Sequence, residues 1–127
     1  MGMILGTGLD IVEVARIADL AARHGERFLN RVYTPREQEY CLDKAARDQH
    51  LAGRFAVKEA VFKALGTGWA EGINWRQIEV LPGPLGAPAV ALSGAAAERL
   101  RSMGGRGIHV SITHVAGLAA ASAIVEG

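Results

Sequence analysis

The stretch from Leu51 to Gly68, LAGRFAVKEAVFKALGTG, sets charged residues at helical spacing inside an otherwise apolar run, so the fold must bury at least one face of a long helix. At 100° per residue, Leu51, Phe55, Phe62 and Leu65 fall within about 80° of one another and form a single core-facing stripe. Glu59 and Lys63, four apart, lie together beside that stripe. Ala52 and Ala56 on the same side are small enough to leave room for an approaching group. Gly66 predicts a left-handed helix cap, and Gly68 a loose turn after it. Lys58 projects into the stripe, so its ammonium must either snorkel outward or meet an anion. Taken alone, Glu59 and Lys63 read as a surface ion pair that stabilises the helix by about 0.2–0.5 kcal/mol. A chemical role needs a second acid. Asp10 is the candidate, at the end of the apolar run Met3 to Leu9, where a short strand would hand over to a helix.

With 127 residues the chain suits one core, and we read residues 1–127 as a single domain. Fourteen basic against 13 acidic residues leave a net charge of +1, which argues against binding bulk nucleic acid, so any anion site must be local. The one cysteine, Cys41, has no internal partner and reads as a buried thiol, in keeping with a cytoplasmic protein. Val115 to Val125 is too short for the roughly 20 residues of a membrane helix. MGMILGTGLD has no basic n-region and meets Asp10 too early for a secretory signal.

Around the central helix, Met3 to Leu9 predicts a strand and Ile11 to His24 a helix closed by Gly25. Ile11, Val14, Ala15, Ala18 and Ala22 share its core side, with Glu13, Arg16, Asp19 and Arg23 outside. Leu20 projects among those charges. With Arg16, Arg23, Arg27, Phe28 and Arg31 it forms a basic surface with an apolar middle, which reads either as an ordinary solvated face or as a docking patch for an acidic amphipathic helix. Thr34-Pro35-Arg36-Glu37 is a capping box that starts a helix running to about Ala45. Strands are expected at Gln77 to Leu81 and Ala89 to Leu92, joined by the turn-rich run Pro82 to Pro88. Ser93 can cap a helix to Met103. Ile108 to Thr113 and Leu118 to Val125 read as a closing hairpin, although alanine in the second favours helix. The fold class is α+β, with a mostly antiparallel sheet packed against a long central helix.

Three ordered blocks carry a resemblance: Gly8-Leu9-Asp10-Ile11; Arg54 to Ala60 with Lys63 to Gly68; and Val110-Ser111-Ile112-Thr113-His114. Together they resemble holo-acyl-carrier-protein synthase, the single-module type of 4′-phosphopantetheinyl transferase, from Met3 to Val125. The resemblance implies the fold of that family. It also implies a reaction: the phosphopantetheine arm of coenzyme A moves to a serine of apo-acyl-carrier protein, releasing adenosine 3′,5′-bisphosphate, in support of fatty acid biosynthesis. Asp10 and Glu59 occupy its Mg²⁺-ligand positions, and Lys63 the position of a lysine on the pyrophosphate. Arg54, Thr113 and His114 match the region of the adenosine 3′-phosphate, with Lys58 and Gly66 as further cofactor contacts.

Such chemistry calls for positioning and cations more than for covalent help. The nucleophile is the partner's, so Ser93, Ser102 and Ser111 are not cast as one. Proton removal is left to Glu59 or to a metal-held water. The acidic carrier is expected to dock at Arg16, Leu20, Arg23, Arg27 and Phe28, and the family's habit of assembling implies a homotrimer. The family's central turn usually holds a basic residue where this chain has Ala87, which puts one phosphate contact in question. Two other readings use the same residues: a small metal-dependent phosphohydrolase built on Asp10, Glu59 and His114, and a catalytically silent carrier-binding module.

Overall fold

The computed structural model describes residues 2–66 and 72–127; the turn expected at Gly68 lies outside them. The order of elements is β1 (Ile4–Glu13), α1 (Val14–His24), α2 (Glu26–Val32), α3 (Pro35–Leu42), α4 (Arg47–Leu65), a 3₁₀ turn at Trp75–Gln77, β2 (Ile78–Pro82), β3 (Pro88–Leu92), α5 (Gly94–Ser102), β4 (Gly107–Val115) and β5 (Leu118–Glu126).

Helix α4 begins at Arg47, earlier than the apolar pattern suggested, and ends where expected. Gly66 takes φ 79°, and its N–H is accepted by the carbonyls of Phe62 and Lys63. The expected stripe of Leu51, Phe55, Phe62 and Leu65 is buried, but so is almost everything else. From Leu51 to Leu65 every side chain is buried except Glu59, which is half-buried, and Lys63, which is exposed. A helix enclosed on all sides is a core element rather than an amphipathic surface one. Ala52 and Ala56 therefore leave no room for a ligand. Both are fully covered by the rest of the chain.

One side of α4 carries a three-stranded antiparallel sheet in the order β1-β5-β4. Ala119, Ala121, Ala123 and Val125 point inward from β5 and are buried. Small side chains there let helix and sheet approach closely. On β1 the approach is closer still, because a Cβ at Gly8 would overlap the carbonyl oxygen of Ala60. Pairing with β5 extends β1 to Glu13, whose partner is Leu118, so strand continues where helix was expected. Helix α1 accordingly starts at Val14, and Asp10 sits within a strand, not at a strand end. Ile11 faces outward and is exposed; Ala15 and Ala22 are exposed too. Ile17 is the buried anchor of α1, with Val14 and Leu20 packed against the core beside it.

The alanine-rich last segment is strand, paired along its length to both neighbours. Its turn at Ala116 and Gly117 has positive φ at both residues, which suits a tight hairpin. Hairpin β2-β3 forms as expected, with Ile78 and Val80 buried. Ser93 precedes α5, but its hydroxyl makes no cap; Gln77 Oε1 instead accepts the N–H of Ala96 at 3.2 Å.

Helix α3 opens with the expected capping box and stops at Leu42, short of Ala45. Its Glu37 does more than cap. Fully buried, it accepts hydrogen bonds from Thr34 N (2.8 Å), Lys58 Nζ (2.8 Å) and Val80 N (2.7 Å). Lys58 is fully buried as well and also donates to the carbonyls of Trp75 and Ile78. It does not snorkel, and all three of its protons are taken within the core, so Lys58 is not the cofactor contact expected of it. Burial pulls the Lys58 pKa down and the Glu37 carboxylate opposes that pull.

Candidate active site

Asp10 comes from the inward face of β1, and Glu59 and Lys63 come from the only uncovered part of α4 between Leu51 and Leu65. The Gly8 contact with Ala60 lays the strand against this part of the helix and so brings residues distant in sequence together. The i,i+4 ion pair expected on the helix is not what forms. Lys63 Nζ reaches across to β1, 3.2 Å from Asp10 Oδ1 and 2.8 Å from the Leu9 carbonyl. Burial raises the Glu59 pKa above its ordinary value, and the negative charge of Asp10 raises it further, while Lys63 and Arg16 pull the other way. The two acids thus share one electrostatic environment, as two ligands of one cation would.

Among the described residues no group of three or more His, Cys, Asp or Glu could hold a metal, so a closed protein cage is ruled out there. Two oxygen donors, Glu59 lining one pocket and Asp10 lining another with Lys63, suit Mg²⁺, which typically takes one or two carboxylates and completes its shell with phosphate oxygens and water. The residues present fit that ion.

Beside Glu59 opens a groove of about 470 Å³, lined by Arg16, Leu20, Arg27, Phe28, Phe55 and Trp75. Four of the five proposed docking residues line it. Arg23 does not; it stands on the solvent side of α1, paired with Asp19 at 3.3 Å. His24 and Arg31 also line the groove. Trp75 and Phe55 were not legible as groove residues, because the first lies in a turn and the second belongs to the core stripe.

A second cationic cluster gathers around Tyr40. The Arg54 guanidinium and the Lys44 ammonium each lie 4.5 Å from its ring centroid, and His50 packs edge-on at 5.7 Å. Arg54 is buried, and its Nε has no hydrogen-bond partner. His114 Nε2 lies 3.2 Å from the Gln49 carbonyl. Burial and then the charges of Arg54, Lys44 and His114 lower the His50 pKa. Arg54 and His114 are therefore brought into one neighbourhood, as expected, with Lys44, Tyr40 and His50 as unexpected members. Only the i,i+4 spacing of Tyr40 and Lys44 on or beside α3 hinted at them.

Thr113 does not join His114. Successive strand residues face opposite ways, and Thr113 is exposed on the outer sheet face while His114 faces Gly53 of α4. That outer face also carries Leu9, Ile11 and Val115, each more than 60% exposed. Gly66 lies at the end of α4 with its N–H already taken.

A family model described as the 4′-phosphopantetheinyl transferase superfamily matches residues 6–113. The holo-[acyl-carrier-protein] synthase of Koribacter versatilis is 49% identical over 124 residues, covering 98% of this chain and 99% of its own. Among solved structures, the holo-[acyl-carrier-protein] synthase of Neisseria meningitidis superposes with a TM-score of 0.90 at 32% identity, over 98% of this chain and 100% of that one. The enzyme of Helicobacter pylori, solved in complex with coenzyme A, gives a TM-score of 0.82 at 35% identity, over 94% of this chain and 98% of that one.

Proposed function

This chain belongs to the 4′-phosphopantetheinyl transferase superfamily, and on that footing we propose that it converts apo-acyl-carrier protein to the holo form by the holo-[acyl-carrier-protein] synthase reaction. The serine oxygen of the carrier forms a bond to the phosphorus that bears the pantetheine arm. The bond from that phosphorus to the adenosine-side oxygen breaks, and adenosine 3′,5′-bisphosphate leaves. The observation that carries this reading is that, between Leu51 and Leu65, α4 leaves only Glu59 and Lys63 accessible, with Lys63 paired to Asp10.

Asp10 and Glu59 would hold Mg²⁺, which when bound offsets charge on the phosphate oxygens. Lys63, at present spent on Asp10 and the Leu9 carbonyl, supplies a cation to the pyrophosphate. Glu59 stands at the edge of the groove, where its carboxylate or a metal-held water would take the serine proton. Arg54 with His114, joined by Lys44 and His50, receives the 3′-phosphate; the unpartnered Arg54 Nε supports an anion there. The basic rim and apolar floor formed by Arg16, Leu20, Arg27 and Phe28 suit an acidic amphipathic carrier helix, with Arg23 at its margin.

Assembly as a homotrimer is supported by the outer sheet face, where Leu9, Ile11 and Val115 lie in water in one chain. Thr113 on that face would then serve a neighbour's site, and Gly66 a cofactor contact near the end of α4. Work in the cytoplasm, for fatty acid biosynthesis, completes the proposal. No helix among the described residues is long and apolar enough to cross a membrane.

Incubation with coenzyme A, Mg²⁺ and apo-carrier protein tests it. The carrier should gain the mass of the phosphopantetheine arm. Release of nucleotide without that gain would show a hydrolase, and neither change would show a binding module. Glu59→Gln should lower transfer by about a hundredfold or more while leaving the helix intact; retained transfer removes Glu59 from the site.

A further inference from the structure

Lys58 and Glu37 are the one fully buried ion pair among the described residues, and the reaction makes no direct use of either. Stability alone is a weak reason for such a pair, because well-packed apolar isosteres commonly serve as well. What the pair does here is join four segments. Glu37 holds Thr34 at the start of α3 and Val80 in β2, and Lys58 links α4 to Glu37, to the Trp75 carbonyl and to the Ile78 carbonyl. The Trp75 bond is 2.9 Å long and pins the 3₁₀ turn to the helix at the residue next to Glu59. With its backbone held there, the Trp75 ring lies 6.0 Å from Phe55 at an interplanar angle of 34° and 5.9 Å from the Arg31 guanidinium. In that position it lines the groove beside Glu59.

We propose that Lys58, braced by Glu37, is a positioning residue that fixes Trp75 as a wall of the carrier-docking groove. This rests on the reading that the groove receives the carrier. Coenzyme A is held elsewhere, at Lys63 and the Arg54 cluster, so the effect of losing the anchor falls on one substrate. A residue that only stabilised the fold would not discriminate between the two.

The test compares Lys58→Met with Glu37→Gln/Lys58→Met, which removes both charges and leaves no lone buried carboxylate if the single variant folds poorly. Steady-state constants are measured for both substrates, and Trp75 emission is read in a Trp69→Phe background. In both variants KM for apo-carrier protein should rise about tenfold, with kcat and KM for coenzyme A within about twofold of the parent. Trp75 emission should shift to the red as the ring gains water. An unshifted emission overturns the proposal. So does a parallel rise in both KM values, or a double variant that recovers carrier KM together with its melting temperature. Should the unaltered protein transfer nothing, the functional reading fails instead, and Trp75 emission alone still decides whether Lys58 holds the wall.

Discussion

Replacing Gly8 with alanine adds a single methyl group, yet it strikes the contact that brings the two acids together. A Cβ at this position would overlap the backbone carbonyl oxygen of Ala60, with the Ala60 carbonyl carbon 2.8 Å and the Ala64 nitrogen 3.0 Å away. All three obstacles are backbone of the central helix, so none can swing aside as a side-chain tip would. Overpacking a core costs about 1–3 kcal/mol, and an obstruction this rigid belongs at the upper end. Loss of glycine entropy from the unfolded chain returns about 0.4–1 kcal/mol, leaving a net loss of about 2 kcal/mol. For a chain of 127 residues the unfolding entropy is about 0.27 kcal/mol/K, so the melting temperature should fall by about 7 °C.

The control is Gly107→Ala, where an added Cβ meets nothing within 4 Å and φ is not positive. It should melt at or above the parent temperature. Because β1 must lift from α4, Asp10 moves with it, and Gly8→Ala should also need more Mg²⁺ for half-maximal transfer. Thermal unfolding by circular dichroism settles the first part. A Gly8→Ala protein that melts within a degree or two of the parent, or a Gly107→Ala protein that falls as far, would refute the argument.

Other outcomes follow from the same geometry. Arg16→Glu should raise KM for the carrier by about tenfold or more while leaving that for coenzyme A nearly unchanged, since a rim arginine becomes a like charge to an acidic partner; equal losses for both substrates count against the groove. His50, kept neutral by burial and neighbouring cations, should titrate below 6.5 by NMR and move upward when adenosine 3′,5′-bisphosphate binds, because a dianion favours the imidazolium. A titration that ignores the nucleotide excludes the Tyr40 cluster as its phosphate site. Glu59 has a folded pKa above its unfolded value, so its ionised form opposes folding, a penalty absent below about pH 4.5 that grows as pH rises through the folded pKa. Glu59→Gln should therefore raise the melting temperature of the metal-free protein at pH 7 but not at pH 4, and Mg²⁺ should raise that of the parent more than that of the variant.

What was legible in the sequence was local. The Gly66 cap, the Thr34 to Glu37 box and the β4-β5 hairpin depend on a few neighbouring residues whose backbone preferences agree, and each formed as read. What escaped was decided by partners far along the chain. Strand β1 runs to Glu13 because β5 offers a partner at every step from Gly6 onward, which the helical preference of the segment could not reveal. Lys58 was ambiguous because its anion, Glu37, lies on a different helix. The enclosure of α4 was hidden by alanines, which fit a buried face and an exposed one equally well. The meeting of Asp10 with Glu59 was not in the spacing at all; only the resemblance to a known family suggested it.

Those alanines and glycines also explain why the site sits where it does. The charge of Asp10 disfavours the ionised form of Glu59, so the two carboxylates gain nothing from proximity in the absence of a cation, and their approach must be imposed by something else. The packing of sheet on helix imposes it: Gly8 on β1 and the inward alanines of β5 reduce the separation until the strand lies on the backbone of α4. Bulkier residues on that face would make a thicker core and hold the acids apart, and Lys63 would then have to span a longer gap to Asp10. The composition that makes β5 hard to assign as a strand is thus the same feature that sets the spacing of the metal-ligand candidates. In this chain the geometry of the site is a consequence of how thin the core is.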